Sequence, residues 1–321
     1  MRVLFMGTPE FAAVQLRALW EHREEKGLTV VGTLCQPDKP KGRGYKLIPP
    51  PVKEYALSVG IPVYQPATLR DEAFASLLAS LDPELIVVAA YGKILPPSVL
   101  AYPKYGCVNV HGSLLPAYRG APPIQRAIMD GCTETGVTLM YMADGVDTGD
   151  MIAKAVLPIG ENEDFGTLYA SLADAGAELL LSALEPLENG TAPRTPQEES
   201  GATYAAKIEK EDCILDFSAH SARELHNRIR ALSPAPLASA VLLSGEKRTV
   251  LKPVSSVVVE EDGEAGVPGT VLSADAKRGV ITVACRRGIL GIMALVPEGR
   301  GKMNAGDFLR GRKLSPEDRF V

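Results

Sequence analysis

Asn109 and His111 stand two residues apart in the run Asn109-Val110-His111-Gly112-Ser113-Leu114-Leu115-Pro116. On a strand that spacing turns both side chains to one face. An amide donor beside an imidazole can hold an oxyanion, each preorganised donor contributing on the order of 10²–10³ in rate. The spacing alone leaves a second reading open: a hydrogen-bonded structural histidine and an asparagine at a turn. Asp144-Gly145-Val146-Asp147-Thr148-Gly149-Asp150 places three carboxylates in one turn. One of them reaching across would orient or charge His111, and a plain Gly/Asp loop is the alternative. Calcium fits poorly, because the twelfth position of an EF-hand register starting at Asp144 is Ala155 rather than a glutamate.

These groups need a scaffold, and the apolar runs supply one. Val3-Leu4-Phe5-Met6 stops at Gly7-Thr8-Pro9 and is followed by Phe11, Val14, Ala18 and Leu19 at helical spacing. A buried strand, a tight turn and a helix are expected. Residues 29–35 and 84–90 are further strands of the same buried kind, and residues 107–111 are another, ending at His111. Residues 122–131 fit a helix with proline in its first turn, and residues 136–142 and 151–159 an antiparallel pair around the 144–150 turn. A long helix carries Leu168, Leu172, Ala175, Leu179 and Ala183. Strands alternating with helices predict an α/β fold with a doubly wound, mostly parallel, Rossmann-like sheet. Ligands then bind at the C-terminal strand ends, where Asn109 and His111 lie.

The Pro/Gly/Glu-rich stretch from Pro186 to Tyr204 has no sustained period. A linker over residues 189–206 is expected, between a catalytic domain of residues 1–188 and a second domain of residues 207–321. In the latter, Ser221-Ala222-Arg223-Glu224 is a capping box before a stripe of Leu225, Ile229 and Leu232. Strand-like runs at 240–243, 249–251, 269–272 and 279–285 predict a small, OB-like β-barrel.

Composition narrows the function classes. At 321 residues, with 46% hydrophobic and 23% charged side chains, the chain is long enough for two ordinary globular domains. The N-terminal apolar run is too short for a signal sequence and no stretch is long enough for a membrane span, so a soluble cytoplasmic protein without membrane contact is expected; a monomer is the default expectation. Five cysteines without a C-x-x-C spacing indicate a reduced compartment. There is no G-x-G-x-x-G for a dinucleotide, no P-loop and no G-x-S-x-G elbow, and the four histidines never fall at H-x-x-x-H. No metal is expected.

The run from Asn109 to Pro116, followed by Arg119-Gly120-Ala121-Pro122-Pro123-Ile124-Gln125 and Asp147-Thr148-Gly149-Asp150, resembles the folate-dependent formyltransferase family. Phe5-Met6-Gly7-Thr8-Pro9-Glu10-Phe11, Tyr91-Gly92-Lys93-Ile94-Leu95-Pro96 and Gly166-Thr167-Leu168-Tyr169 extend the resemblance over nearly the whole chain, weakening after about residue 235. It is strongest for the branch that formylates initiator methionyl-tRNA for translation initiation. The resemblance implies that Asn109 and His111 flank the formyl group of 10-formyltetrahydrofolate and that Asp147 tunes His111 and helps move a proton. It places Ser113, Leu114, Leu115 and Pro116 at the folate. The amine then attacks the formyl carbon directly, through a tetrahedral oxyanion, with no covalent enzyme intermediate.

The charge distribution separates the branches. Residues 1–206 hold 16 basic and 24 acidic side chains, a net of −8, whereas residues 207–321 hold 18 and 15, a net of +3. Within the acidic part, Asp38-Lys39-Pro40-Lys41-Gly42-Arg43-Gly44-Tyr45-Lys46 is a basic loop. By resemblance Lys39, Lys41, Arg43 and Lys46 reach the acceptor stem, and a basic loop with a basic barrel suits a phosphate backbone. Arg223, Arg228 and Arg230 add cations on the capped helix, although helix-surface arginines more often serve solubility. The alternative is a formyltransferase for an amino-sugar nucleotide, which has no evident use for the basic loop. A glycinamide ribonucleotide formyltransferase would normally lack the second domain, and a non-catalytic RNA-binding protein would have no reason for Asn109, His111 and Asp147 together. Many relatives carry Asn-Pro-Trp-Pro where this chain reads Ser233-Pro234-Ala235-Pro236, so no role of that Trp transfers to Ala235.

Overall fold

Strands buried on both faces form the centre of the first half of the chain. The structure, a computed structural model, describes residues 1–41 and 46–321, which group into two compact units. The first comprises residues 1–120, 135–157 and 169–204, the second residues 121–134, 158–168 and 205–321. The units thus cut across chain order, and each is described by itself.

In the first unit the chain runs through β1 (Arg2–Gly7), α1 (Glu10–Glu21), β2 (Thr29–Leu34) and the short β3 (Lys39–Lys41) and β4 (Lys46–Ile48). It continues through α2 (Pro51–Ser58), β5 (Val63–Tyr64), α3 (Glu72–Leu81), β6 (Leu85–Ala89), α4 (Pro97–Leu100), β7 (Cys107–His111) and β8 (Arg119–Gly120). After α5 (Pro123–Met129), which belongs to the second unit, come β9 (Glu134–Tyr141), β10 (Met151–Pro158), α6 (Phe165–Glu188) and β11 (Tyr204–Ala205). The seven-stranded sheet has the order β10-β9-β7-β6-β1-β2-β5. β5, β2, β1, β6 and β7 pair in parallel and β9 runs antiparallel to β7. The chain leaves β1 first toward β2 and β5 and later toward β6 and β7, so the winding reverses beside β1. Such a switch opens a crevice at the C-terminal strand ends. α1 is fastened to α6 by polar contacts as well as by its apolar face. Phe11 N donates to Tyr169 Oη (2.8 Å), and the buried Gln15 amide donates to Ala173 O (2.8 Å).

The second unit holds α7 (Ala222–Ala231), β12 (Ala240–Ser244), β13 (Lys247–Glu260), β14 (Val271–Asp275), β15 (Val280–Ala284) and β16 (Ile289–Pro297). It ends with β17 (Met303–Asn304), α8 (Ala305–Gly311) and β18 (Arg319–Phe320). Its sheet, β14-β15-β16-β13-β12-β18, curls until its ends meet: Phe320 N donates to Gly269 O (2.8 Å) and Val271 N to Asp318 O (3.1 Å). Gly269 has φ +88°, and a Cβ there would run into the Phe320 carbonyl, so the closure requires glycine. The predicted capping box forms, Ser221 N donating to Glu224 Oε2 (2.7 Å) and Glu224 N to Ser221 Oγ (3.3 Å).

Two sequence expectations change in detail. Pro186 lies inside α6, which runs on to Glu188; in the last turn a missing N–H removes one hydrogen bond, and the buried Leu184 and Leu187 hold the helix. Residues 249–251 lie near the start of a 14-residue strand, β13, whose Pro253 sits at a register shift against β16, the kind of irregularity that lets a central strand accept proline.

His226 on α7 is buried, with Nε2 against Glu161 O (3.0 Å) and Nδ1 against Ser256 Oγ (2.9 Å). A carbonyl only accepts, so Nε2 carries the hydrogen and Nδ1 takes the hydroxyl proton, which satisfies a neutral ring. Burial, outweighing the Glu161 carbonyl contact and reinforced by Arg230 and Arg223, lowers its pKa below 6.5. The unfolded ring takes up a proton near pH 6.5 while the folded ring stays neutral, so stability is full above that pH and falls as pH drops below it. Urea unfolding followed from about pH 7.5 to 5 is expected to show this decline, reduced in a His226→Gln variant.

Candidate active site

The end of β7 carries the two predicted donors. Asn109 and His111 lie opposite Met140 and Thr138 of β9, on one face of the strand, and are 8% and 6% exposed. Asp147 comes from the loop joining β9 to β10, in left-handed backbone with φ 54°. Its carboxylate meets both: Asn109 Nδ2 donates to Oδ1 (3.4 Å), and Oδ2 stands 3.5 Å from His111 Nδ1. Gly120 N donates to the same Oδ2 at 2.8 Å. The other ring nitrogen, Nε2, lies 3.0 Å from Tyr118 O, so Nε2 carries a hydrogen. Nδ1, facing a carboxylate across a long gap, is therefore the ring atom where a second proton enters or leaves.

Several further groups hold this arrangement. Thr138, fully buried, donates from Oγ1 to Ser113 O (2.7 Å) and accepts from Leu115 N (3.1 Å), which shapes the turn after β7. Gly149 lets the loop return closely, since a Cβ there would collide with the Tyr141 carbonyl. Arg119, 1% exposed, bonds to Glu199 through Nη1 (3.1 Å) and Nη2 (2.7 Å) and to Gln197 Oε1 through Nε (3.1 Å) and Nη2 (2.9 Å). A buried guanidinium requires such pairing. The Arg119 hydrogen bond in turn holds the Glu199 carboxyl below its usual range.

The remaining predicted residues fall in different settings. Ser113 and Leu115 are fully buried, the Ser113 hydroxyl donating to Ala117 O (2.6 Å) and the Leu115 side chain packing with Met140 and Met151. Leu114 and Pro116 are half-buried, and Lys154 Nζ donates to Leu115 O. Lys39, Lys41 and Lys46 belong to the β3–β4 hairpin beyond the C-terminal end of β2, whereas Arg43 lies outside the described residues. The arginines of α7 depart from the expected cationic surface. Arg223 pairs with Glu161 (3.1 Å) and Glu261 (3.0 Å), and Arg228 reaches Asp212 O (3.3 Å) and His220 Nε2 (3.0 Å). Arg230 is buried on Asn227 Oδ1 (3.0 Å), Gly160 O (3.1 Å) and Glu163 O (3.2 Å). A sequence cannot show that neighbours engage these charges. Among the described residues no group of three or more His, Cys, Asp or Glu side chains could hold a metal ion, and no helix is long and apolar enough to cross a membrane.

With this geometry in hand, comparison with known proteins is decisive. Residues 1–184 match the family model described as formyl transferase, and residues 207–313 the one described as formyl transferase, C-terminal domain. The chain belongs to the formyl transferase family. The methionyl-tRNA formyltransferase of Pelotomaculum thermopropionicum is 46% identical over 314 residues, 98% of this chain and 96% of that protein. That of Symbiobacterium thermophilum is 47% identical over 320 residues, 100% of this chain and 95% of the other. HypX of Aquifex aeolicus, solved with tetrahydrofolic acid, shares the fold at TM-score 0.61 and 21% identity, over 96% of this chain and 47% of that one. So does a Helicobacter canadensis N-formyltransferase solved with folinic acid and dTDP-3-aminofucose, at TM-score 0.62 and 18% identity, over 90% and 98%.

Sequence reasoning about this formyl transferase missed Thr138, Gln197 and Glu199, and gave Arg119 only as part of a motif. Their roles depend on contacts over 23 to 80 residues of chain, which no local pattern signals. Replacing Thr138 by valine leaves the Ser113 carbonyl and Leu115 N–H without their partner in a buried site. Chemical unfolding is expected to show a loss of about 1–3 kcal/mol.

Proposed function

We propose that this chain transfers the formyl group of 10-formyltetrahydrofolate to the free amino group of initiator methionyl-tRNA, in the cytoplasm, ahead of translation initiation. The observation that carries the reading is the convergence of Asn109, His111 and Asp147 at the end of β7. It occurs in a chain aligned over nearly its full length with relatives bearing that name.

The folate substrate supplies an electrophilic formyl carbon, and attack by the amine places negative charge on the formyl oxygen. Asn109 Nδ2 has a second hydrogen that its bond to Asp147 does not use, and it is the amide donor for that charge. His111, anchored through Nε2 on Tyr118 O, keeps Nδ1 for the reaction. A proton taken up at Nδ1 lies between the ring and the Asp147 carboxylate, and the ring then sets a positive charge beside the same oxyanion. The amine loses one proton and the departing folate nitrogen gains one; Nδ1 with Asp147 is the relay. We assign folate contact to the turn of Ser113, Leu114, Leu115 and Pro116, through its backbone and the half-buried Leu114 and Pro116, because the Leu115 side chain faces the core.

The acceptor is read from charge. The hairpin bearing Lys39, Lys41 and Lys46 leaves the sheet at the C-terminal end of β2, the strand-end side on which Asn109 and His111 lie. A segment of that sequence, with Arg43 between Lys41 and Lys46, suits the acceptor-stem phosphates. Assaying charged initiator tRNA beside an amino-sugar nucleotide tests the choice: formylation of the tRNA is expected, and turnover of the sugar nucleotide in its place overturns the reading. His111→Ala and Asp147→Asn are each expected to lower kcat/KM about 10²-fold or more with an unchanged melting temperature. Arg43→Ala is expected to raise the KM for tRNA, leave the folate KM unchanged and reduce the log–log salt slope of tRNA affinity by about one.

A further inference from the structure

Residues 194–203 lie beyond the N-terminal family match, which ends at residue 184, in a stretch whose sequence reads as a linker. They nevertheless contact both ends of the loop that presents Asp147 and, within it, the backbone of Asp147 and Gly149. Arg194 stacks 3.6 Å over the Tyr141 ring and pairs with Asp150 at 3.6 Å, so it touches both ends of the loop. Thr195 exchanges backbone hydrogen bonds with Met151 (2.8 and 3.0 Å). Thr203 receives Arg119 N at its carbonyl and Tyr118 N at its hydroxyl, both at 2.8 Å. The backbone so held supplies the Tyr118 carbonyl to His111 and the Gly120 N–H to Asp147.

Gln197 makes the most direct contact. Its Nε2 donates to Asp147 O and Gly149 O, both at 2.8 Å. The orientation of the amide follows from its neighbours. Arg119 has only donors, so Oε1 faces the guanidinium, and the two loop carbonyls only accept, so the NH₂ faces them. The bidentate bond from Arg119 to Glu199 keeps the guanidinium from turning away. Asp147 needs such support, because left-handed backbone is unfavourable for a non-glycine residue and persists where its surroundings over-determine it. Loss of the two Gln197 bonds would free the loop to aim the carboxylate elsewhere.

We propose that Gln197 is a positioning residue for formyl transfer, and that residues 194–203 form a strap that completes the active site from outside the matched N-terminal region. The proposal rests on the reaction assigned above. Gln197→Glu keeps the size and the acceptor facing Arg119 but sets an oxygen against the two loop carbonyls; Gln197→Ala removes the bonds without adding charge. Both are expected to lower kcat by about tenfold or more, with the tRNA KM within about twofold and the protein still unfolding in one cooperative transition above the assay temperature. Amide exchange over residues 144–150 is expected to accelerate about tenfold while β6 and β7 keep their protection. In an Asp147→Asn background the added loss in kcat should shrink to under about twofold, because Gln197 acts through Asp147. A kcat within twofold of wild type, unchanged exchange in the loop, or fully multiplicative losses in the double variant overturns the proposal. A wild-type protein that fails to formylate methionyl-tRNA overturns the assigned reaction instead, and the exchange measurement still decides the strap.

Discussion

The Asp147 carboxylate, placed between the amide of Asn109 and the ring of His111, is the contact on which the rest of the site depends. It reaches both side chains, at 3.4 Å and 3.5 Å, and it arrives from a loop rather than from the sheet. Asn109 and His111 are set by strand geometry, since β7 is paired on both sides and neither side chain has much freedom. A loop carboxylate has no such guarantee. Its aim is fixed by the Gly120 N–H on the side-chain oxygen, by Gln197 on the backbone, and by a glycine at 149 that permits the close return to Tyr141. The least regular element at the site therefore carries the densest set of polar contacts, which is the physical requirement for holding a charge in a preorganised position.

The parallel sheet contributes in a different way. Winding reverses beside β1, the kind of switch that opens a crevice at the C-terminal strand ends, and on that side Asn109 and His111 stand at the end of β7 without being completely buried. The antiparallel β9–β10 extension does what a further parallel strand could not. A hairpin returns the chain at once, so the 144–150 loop arrives beside β7 with its carboxylate in reach. Thr138 links the two features, since from β9 it organises the turn that follows His111.

Charge is used unevenly over the chain. Arg119 and Arg230 are buried and Arg223 is tied to two glutamates, so much of the guanidinium content builds structure. The net of +3 in residues 207–321 consequently says less about a nucleic-acid surface than its sign suggests, and the β3–β4 hairpin becomes the more specific basic feature. In the interior, arginine's planar fork meets several acceptors at once, as Arg119 and Arg230 do.

By itself the sequence determined the α/β class, the strand that ends in Asn109 and His111, the capped helix after Ser221 and the family to which the chain belongs. Each of these rests on local information: an apolar run, an alternation of period two, a capping pattern or a contiguous motif. It also marked Asp147, but through a resemblance, because spacing offered three aspartates in one turn with nothing to choose among them. Tertiary structure alone decided which nitrogen of His111 faces Asp147, since that follows from the Tyr118 carbonyl on the other side of the ring. It likewise turned an apparent linker into contacts with the loop that carries Asp147, and apparent surface arginines into buried or paired ones. The reason is common to all three. Hydrogen bonds spanning from 50 residues of chain, as Gln197 to Asp147, to 80, as Arg119 to Glu199, leave no period or spacing in the residues between them, so they exist only once the fold has brought their ends together.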